Sequence, residues 1–380
     1  MTYLDYNATT PLAPEAMEAM LPFLREDFGN PSSIHAHGRR ARAAVDDSRD
    51  SIAKLLGAKS HEIIFTGGGT ESDNLAIIGL ARDQATKGKH LITSPTEHHA
   101  VLHAFEFLQK AEGFEVTLLP VDSDGRIDPE ELRRAIRKDT TLASIMTANN
   151  ETGTLQPIPE FSAICRENGV LFHTDAVQSF GKEPVVPKDL GVDALSLAGH
   201  KFYGPKGAGI LYLKAGISIS KLHHGGFHEN QRRPGTENVA AIVGMARAAE
   251  LVLQGWEVEQ ARLAALRDLL QNGIQAICPK AVINGHPTLR IANTLNISIP
   301  GVDGESLLIS LDLEGVGASS GSACMVGSVM PSHVLLARGV TEEIAKSTVR
   351  FSLGKQTDEN AIKMAIDAFG SVWKRLGSRM

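Results

Sequence analysis

The residue of this chain best suited to covalent chemistry is Lys201, which lies in the glycine-rich stretch 196–209, S-L-A-G-H-K-F-Y-G-P-K-G-A-G. A lysine at the end of a buried strand can lose solvation and form a Schiff base with a carbonyl compound. Taken alone, an ordinary surface lysine in a glycine-rich turn is the commoner explanation. Other chemistry-bearing residues elsewhere in the chain decide between the two.

A second segment with chemical potential is T-G-G-G-T-E-S-D-N, residues 66–74, which follows a short apolar run. Its three glycines let backbone N–H groups approach an anion, and a phosphate there would meet the positive end of the next helix. Thr70 and Asp73 fit a capping box that opens this helix. A plain strand–turn–helix connection explains the same residues, and the segment matches neither the Walker A nor the G-x-G-x-x-G pattern.

Two more polar residues follow apolar runs, His98 and Asp175. His98 could stack on a flat ring or transfer protons. A metal site shared with His99 and His103 is the alternative, but no carboxylate or cysteine completes it. Asp175 needs a cation or a strong donor if it is buried at the end of its strand, although it could equally cap the next helix.

These residues make sense together as one site. In open parallel sheets, ligands bind beyond the carboxyl ends of the strands. An anion cradle, a ring-stacking histidine, an aspartate and a Schiff-base lysine are the set that pyridoxal 5'-phosphate needs. Its phosphate would occupy the cradle, its pyridinium nitrogen would pair with Asp175 and its aldehyde would react with Lys201. The residues therefore predict this cofactor and no metal.

Composition limits the class of protein. The chain has 380 residues, 42% of them hydrophobic, and a net charge of -6, which gives no electrostatic basis for nucleic-acid binding. No run approaches the ~18 apolar residues of a membrane span, and the first residues do not resemble a secretory signal. Three widely separated cysteines suit a reducing cytoplasm and argue against disulfides. We expect a cytoplasmic protein without direct contact with nucleic acid or membrane.

Apolar runs alternate with helical patterns, which predicts an α/β fold with a largely parallel sheet. The predicted strands are 62–65, 90–93, 116–119, 142–147, 170–173, 194–197 and 209–213. The predicted helices are 71–81, 100–111, 129–136 and 159–167. A long helical stretch, about 238–277, is interrupted only at Gly255 and Gly273. The C-terminal region that follows has two predicted strands, at 294–299 and 349–352, and one predicted helix, at 305–313.

A series of motifs occurs in a fixed order along nearly the whole chain. They run from Y-L-D-Y-N-A-T-T-P at Tyr3 to V-R-F-S-L-G at Val349, through N-P-S-S-I-H, T-E-S-D-N, T-E-H, A-N-N-E-T-G, H-T-D-A-V-Q, G-H-K-F-Y-G-P-K-G, R-R-P-G-T-E-N and S-S-G-S-A-C. With these motifs the chain resembles the fold-type I pyridoxal-phosphate enzymes of the class V aminotransferase family, and within it the NifS/IscS-like cysteine desulfurases.

The resemblance implies a domain organisation. A large pyridoxal-phosphate-binding domain, expected at 16–255, would contain a mostly parallel seven-stranded sheet flanked by helices. A smaller α+β domain, expected at 256–380, would carry a catalytic cysteine loop. The N-terminal segment, expected at 1–15, would pack with the small domain.

The resemblance also implies roles around the cofactor ring. Lys201 would hold the cofactor covalently and His98 would stack over the ring. Asp175 would pair with the pyridinium nitrogen, and Gln178 with the ring hydroxyl. Asn150 would lie near the substrate amine and the ring oxygen.

The remaining implied contacts concern the phosphate and the substrate. Gly69, Thr70 and His200 would hold the phosphate, together with Thr236 from a second subunit of a homodimer. Arg350 would clamp the substrate carboxylate, since a guanidinium offers two parallel N–H donors to it.

Cys324, in S-S-G-S-A-C-M-V-G-S-V-M-P-S, is the third expected catalytic residue beside Lys201 and His98. Small residues favour mobility, and the segment lacks the apolar density expected around a buried structural thiol. The resemblance implies that L-cysteine is converted to L-alanine with a persulfide on Cys324. A protein acceptor, such as an iron–sulfur scaffold or a tRNA-thiolation protein, would then receive the sulfur.

Departures from the family pattern and rival functions remain. Ala198 replaces a serine that usually helps bind the phosphate, and Met325 and Val326 replace hydroxyl-bearing residues. A selenocysteine lyase could share every residue named above. A class V aminotransferase would not need Cys324, and a catalytically silent cofactor-binding scaffold for sulfur-transfer partners would need none of these residues together.

Overall fold

The computed structural model describes residues 1–320 and 331–377, so Cys324, Met325 and Val326 lie outside the described residues. The strands are β1 (Thr2–Tyr3), β2 (Ile63–Thr66), β3 (His90–Thr93), β4 (Glu115–Leu118), β5 (Thr140–Ser144), β6 (Leu171–Asp175), β7 (Ala194–Ala198), β8 (Gly209–Leu213), β9 (Val282–Asn284), β10 (Thr294–Ser298), β11 (Val316–Gly317) and β12 (Thr348–Ser352). The helices are α1 (Pro14–Arg25), α2 (Ala36–Leu55), α3 (Gly69–Gln84), α4 (His99–Glu112), α5 (Pro129–Ala135), α6 (Ile158–Glu167), α7 (Pro187–Leu190), α8 (Val239–Leu253), α9 (Trp256–Ile277), α10 (Gly304–Leu313), α11 (His333–Ala337), α12 (Glu342–Lys346) and α13 (Glu359–Gly377).

The main sheet has seven strands in the order β2-β8-β7-β6-β5-β3-β4. Only β8 runs antiparallel to its neighbours, β2 and β7, and the other pairs are parallel. The predicted α/β class and mostly parallel seven-stranded sheet are therefore confirmed. The strand predicted at 142–147 lies slightly earlier in the chain, since β5 begins at Thr140 and ends at Ser144.

Helices cover both faces of this sheet. Successive residues of a strand point to opposite faces, and in β2 the side chains of Ile63 and Phe65 join one hydrophobic cluster while Ile64 joins another. The first cluster includes residues of α2, α6 and α8, and the second includes residues of α3 and α4. Both faces are buried, which explains the near-continuous apolar runs of the central strands.

A second, separate core lies in the C-terminal part of the chain. It collects apolar residues of α9, α10 and α13 against an antiparallel sheet of order β12-β10-β9. Leu4 belongs to this core, and β1 pairs in parallel with β11. The N-terminal segment thus contacts the C-terminal part, while the exact boundaries at 15 and 255 stay a prediction.

The long helical stretch at 238–277 is two helices. It breaks at Gly255, whose φ of +66° suits glycine, and α8 and α9 meet at a bend of 74°. The interruption predicted at Gly273 is wrong, because α9 continues through it. A Cβ at Gly273 would lie 2.4 Å from Cδ1 of Ile366 on α13, so this glycine permits close helix packing.

Among the described helices, none is by itself long and apolar enough to cross a membrane, and only the bent pair α8–α9 meets those requirements when its two members are combined.

Candidate active site

A cavity of about 330 Å³ opens beyond the carboxyl ends of the central parallel strands. This volume lies within the range of small-molecule sites. Every predicted site residue in the described part of the chain lines it except Thr236, which is exposed and lies elsewhere. The lining residues are Asn7, Ala8, Gly69, Thr70, Asp73, His98, Met146, Asn150, Asp175, Val177, Gln178, Ala198, His200, Lys201 and Arg350.

The anion cradle is made by the turn from β2 into α3. Gly68 is the N-cap of α3 with a φ of +151°, a conformation that other residues rarely adopt. The capping box predicted for Thr70 and Asp73 is wrong, because the helix already begins at Gly69 and no side chain caps it. Instead the N–H of Gly67 donates to Glu71 Oε2 at 2.6 Å. The first N–H groups of α3 therefore have no side-chain cap competing for an anion.

The turn is closely packed at Gly69. A Cβ at Gly69 would lie 3.0 Å from Cγ2 of Val177 and 3.3 Å from Cβ of Ala198. His200 stands on the other side, in the 3₁₀ turn after β7, and its Nδ1 lies 3.1 Å from Thr9 Oγ1. Burial, followed by the charge of Lys201, lowers the pKa of His200 to about 4. His200 is therefore neutral near pH 7.

Asp175 ends β6 at the base of the cavity. Its Oδ1 accepts the N–H of Val177 at 2.8 Å, and burial raises its pKa to about 6. Two other buried carboxyls lie nearby. Burial and then the charge of Asp175 raise the pKa of Asp73, and burial raises the pKa of Glu97. A cation placed against Asp175 would relieve the electrostatic cost of ionising it.

His98 lies at the N-cap of α4, where its Nδ1 accepts the N–H of Ala100 at 3.1 Å. Burial, followed by the charge of Lys201, lowers the pKa of His98 to about 4. A neutral imidazole whose Nδ1 accepts a hydrogen bond carries its proton on Nε2. His98 therefore offers one N–H donor over a wide pH range.

The neighbouring histidines form a ring cluster. The ring centroid of His99 lies 6.3 Å from that of His98 and 5.1 Å from that of His103. Across residues 1–320 and 331–377, no group of three or more His, Cys, Asp or Glu side chains is arranged to hold a metal ion.

Lys201 lies in the same 3₁₀ turn as His200, directly after β7. Its Nζ donates to the main-chain carbonyl oxygens of Asn7 at 2.6 Å and Ala8 at 2.8 Å. The N-terminal segment thus forms one wall of the site. Asn7 belongs to the motif that begins at Tyr3, but nothing local in the sequence indicates a contact across 194 residues of chain.

Arg350 reaches the cavity from β12 of the small sheet, and its side chain is only 2% exposed. Its Nη2 lies 2.7 Å from Asp5 Oδ1, and its Nη1 donates to the main-chain oxygen of Asn150 at 2.9 Å. Its backbone N–H donates to the carbonyl oxygen of Ser319 at 2.6 Å. Asp5 and Asn150 thereby hold the guanidinium at the edge of the cavity, and Ser319 holds the backbone of the same residue.

Lys182 is a second lysine near Lys201, and it was not among the predicted site residues. Its Nζ donates to Asn7 Oδ1 at 3.3 Å and to Gln178 Oε1 at 3.1 Å. Burial, then the charges of Lys201 and Arg350, lowers its pKa to about 7. The only sequence signal for a role of Lys182 is its spacing of four residues from Gln178, and this spacing is too common to be informative.

Comparison with known proteins defines the family. The class V aminotransferase profile matches residues 2–364. The cysteine desulfurase IscS of Dictyoglomus turgidum is 52% identical over 98% of this chain and 95% of its own length. That of Methanosarcina thermophila is 50% identical over 98% and 92%. A solved NifS-like protein is 37% identical with a TM-score of 0.93, covering 99% of this chain and 100% of the other. The chain belongs to the class V aminotransferase family.

Enzymes of this family use pyridoxal 5'-phosphate, which is therefore the cofactor of this chain, as the residues predicted. The cavity fits that group. The uncapped start of α3 suits a phosphate, the carboxyl of Asp175 suits a protonated ring nitrogen, and the amine of Lys201 suits an aldehyde. All three line the same cavity.

Proposed function

We propose that this chain is a cysteine desulfurase that converts L-cysteine to L-alanine and delivers the sulfur to Cys324. One observation carries the proposal. The amine of Lys201, the carboxyl of Asp175 and the guanidinium of Arg350 line one cavity, in a chain 52% identical to a cysteine desulfurase over nearly its full length. Lys201 reacts with a carbonyl, Asp175 receives a cationic ring and Arg350 receives a carboxylate.

In this proposal the large sheet supplies the cofactor contacts. Gly69, Thr70 and His200 hold the phosphate, and Asp175 pairs with the ring nitrogen. Gln178 donates to the ring hydroxyl. Their support is position, since all five line the cavity and Gly69 and Thr70 are the first two residues of α3.

The residues that act on the substrate come from both parts of the chain. Arg350 and Asn150 orient the carboxylate and amine of cysteine, and His98 lies over the ring. When bound, pyridoxal phosphate supplies an electron sink for the pair left when the Cα–H bond breaks. Lys201 takes that proton at Nζ, since its side chain lines the cavity that receives the substrate.

Sulfur leaves the substrate as a neutral atom equivalent. The Cys324 thiolate forms an S–S bond with the substrate sulfur while the C–S bond breaks, and that electron pair stays with the carbon skeleton. The carbon skeleton takes up a proton and leaves as alanine, so Cys324 ends as a persulfide. His98, with its single proton on Nε2, is the acid–base partner in this step.

We further propose a cytoplasmic homodimer in which Thr236 of one subunit completes the phosphate site of the other. Thr236 is exposed and does not line the cavity of its own chain, which is compatible with a role across an interface. The exposed apolar side chains of Phe28 and Ile34, 73% and 90% accessible, offer surface for such an interface. The sulfur acceptor is proposed to be a protein of iron–sulfur assembly or tRNA thiolation.

The expected division into 1–15, 16–255 and 256–380 is part of the same proposal. Its support is the break at Gly255 between the two cores and the burial of Leu4 in the C-terminal one.

Two variants test the assignment of roles. Lys201→Ala should abolish the absorption band of the covalently held cofactor, and Cys324→Ala should keep this band but release no sulfide from cysteine. An unchanged band in Lys201→Ala contradicts the lysine assignment. Full sulfide release by Cys324→Ala contradicts the persulfide step. Comparing the turnover of selenocysteine with that of cysteine distinguishes a selenocysteine lyase from a cysteine desulfurase.

A further inference from the structure

The ammonium of Lys182 lies behind the cofactor cavity, in a small pocket shared with Lys201. Apolar side chains of Phe180, Val252 and Leu263 line that pocket, so water does not fully solvate the charge. Nothing in the proposed reaction uses this amine. Its two acceptors, Asn7 Oδ1 and Gln178 Oε1, both belong to residues that line the cofactor cavity.

The orientation of the Asn7 amide is fixed by hydrogen-bond partners that can act only as a donor or only as an acceptor. Its Nδ2 donates to the main-chain oxygen of Asn150 at 3.2 Å, and a carbonyl can only accept. The same Nδ2 donates to Thr294 Oγ1 at 2.8 Å. The Oδ1 must therefore face the donors, which are Lys182 Nζ at 3.3 Å and Asn293 Nδ2 at 3.1 Å.

The Gln178 amide is fixed in the same way. Its Nε2 donates to the main-chain oxygen of Asn7 at 2.9 Å, and its Oε1 accepts from Lys182 at 3.1 Å. The two ends of an amide are nearly isosteric, so single-role partners decide which end faces a ligand. An amide nitrogen carries two hydrogens, and the bond to Asn7 uses one of them. The second hydrogen is not used by that bond, and Gln178 lines the cavity.

We propose that Lys182 is a positioning residue that holds the Gln178 amide with its nitrogen toward the ring hydroxyl of the cofactor. This inference rests on the proposed function, which places Gln178 at that hydroxyl. Lys182 is not among the residues that line the cofactor cavity, so it acts through Gln178 and Asn7. Through Asn293 and Thr294 the same network joins the large sheet to the start of β10, so the amide is held relative to both cores.

Loss of the ammonium has a defined consequence. Gln178 is only 5% exposed, so its Oε1 would become a buried acceptor without its donor, which is costly. The side chain then turns or shifts toward another donor and no longer presents its N–H to the ring hydroxyl. A lost hydrogen bond to the ring alters the electronic spectrum of the bound cofactor, which is a readout independent of turnover.

The test compares absorption spectra of the cofactor-loaded protein across pH. Lys182→Met keeps the length of the side chain, and Lys182→Ala removes the donor without placing an apolar chain between the two amides. Gln178→Ala removes the residue through which Lys182 is proposed to act. Lys188→Met, an exposed lysine six residues further along, is the matched control. Thermal unfolding of each variant checks that it is folded.

We expect both Lys182 variants to shift the absorption maximum of the bound cofactor, and the midpoint of its spectral change with pH, in the direction seen for Gln178→Ala. Both variants should also raise the Kd for the cofactor about 5- to 30-fold. Adding Lys182→Met to Gln178→Ala should cause no further shift. Lys188→Met should match the unmodified protein. A native spectrum in either folded Lys182 variant, or shifts that add in the double variant, overturns the inference. Alanine formation from cysteine by the unmodified protein is measured in parallel. Its absence would contradict the proposed function, whereas the spectra of the variants test the role of Lys182.

Discussion

Arg350 Nη2 lies 2.7 Å from Asp5 Oδ1, so the cation proposed to bind the substrate carboxylate already carries an anionic partner from the N-terminal segment. The Arg350 side chain is 2% exposed and that of Asp5 is 19% exposed. Removing one member of such a pair leaves a buried charge without compensation, which costs more than breaking a surface pair.

Asp5→Asn should therefore lower the free energy of unfolding by about 1–3 kcal/mol. It should also raise KM for cysteine more than it lowers kcat, because the guanidinium loses its orientation. Chemical denaturation and steady-state kinetics measure both effects. Asp27→Asn is the control, since its 2.8 Å pair with Arg40 is far more exposed and should contribute less than about 1 kcal/mol. Equal losses in the two variants would contradict this account.

Cofactor affinity should depend on pH through Asp175. Burial raises the pKa of this carboxyl from 3.8 to about 6 in the cofactor-free protein, and only the ionised form can pair with a ring cation. The apparent Kd should therefore be flat above pH 6 and rise by up to about tenfold per unit as pH falls below it. Titrations followed by fluorescence measure this slope. Asp175→Asn should bind weakly at every pH and lack this acid limb; an identical slope in both proteins refutes the assignment.

Ala198→Ser should tighten cofactor binding. Ala198 is 1% exposed and lines the cavity beside Gly69, where a hydroxyl would reach the anion cradle. One added hydrogen bond should stabilise the complex by about 1 kcal/mol and lower Kd about fivefold. Pyridoxal without its phosphate is the matched ligand, and its Kd should not change. Equal tightening of both ligands would place the new hydroxyl away from the phosphate.

Gly273→Ala should destabilise the protein although alanine is the better helix former. Propensity alone would stabilise α9 by about 1 kcal/mol. The added Cβ would lie 2.4 Å from Cδ1 and 2.7 Å from Cγ1 of Ile366, so overpacking should cost about 1–3 kcal/mol net. Urea denaturation measures it. Adding Ile366→Ala should relieve the clash and make the two effects non-additive; additive losses would show that the helices do not meet there.

The predicted site residues that line the cavity stand next to periodic elements. Lys201 and Asp175 each follow a strand whose apolar pattern is plain, and the parallel sheet brings such ends together. Asn7 and Lys182 could not be found this way, because their roles come from contacts such as Asn7 with Lys201, 194 residues apart.

Two predictions from local sequence patterns are wrong, each for an identifiable physical reason. The pattern of Thr70 and Asp73 matched a capping box, but the glycines before them let α3 start two residues earlier than that motif requires. Gly273 looked like a helix break because glycine weakens helices, whereas its purpose is the close approach of α13. The glycine turn before α3 decided the first case, and tertiary packing decided the second.

The central claim is that the chain converts cysteine to alanine at a site built around Lys201. Its most direct test is to incubate the cofactor-loaded protein with L-cysteine, with and without a thiol reductant, and to quantify alanine and sulfide. We predict sustained formation of alanine and sulfide in equal amounts with reductant, alanine limited to about one turnover per site without it, and none from Lys201→Ala. Absence of alanine from the loaded, folded protein in the presence of reductant would contradict the account.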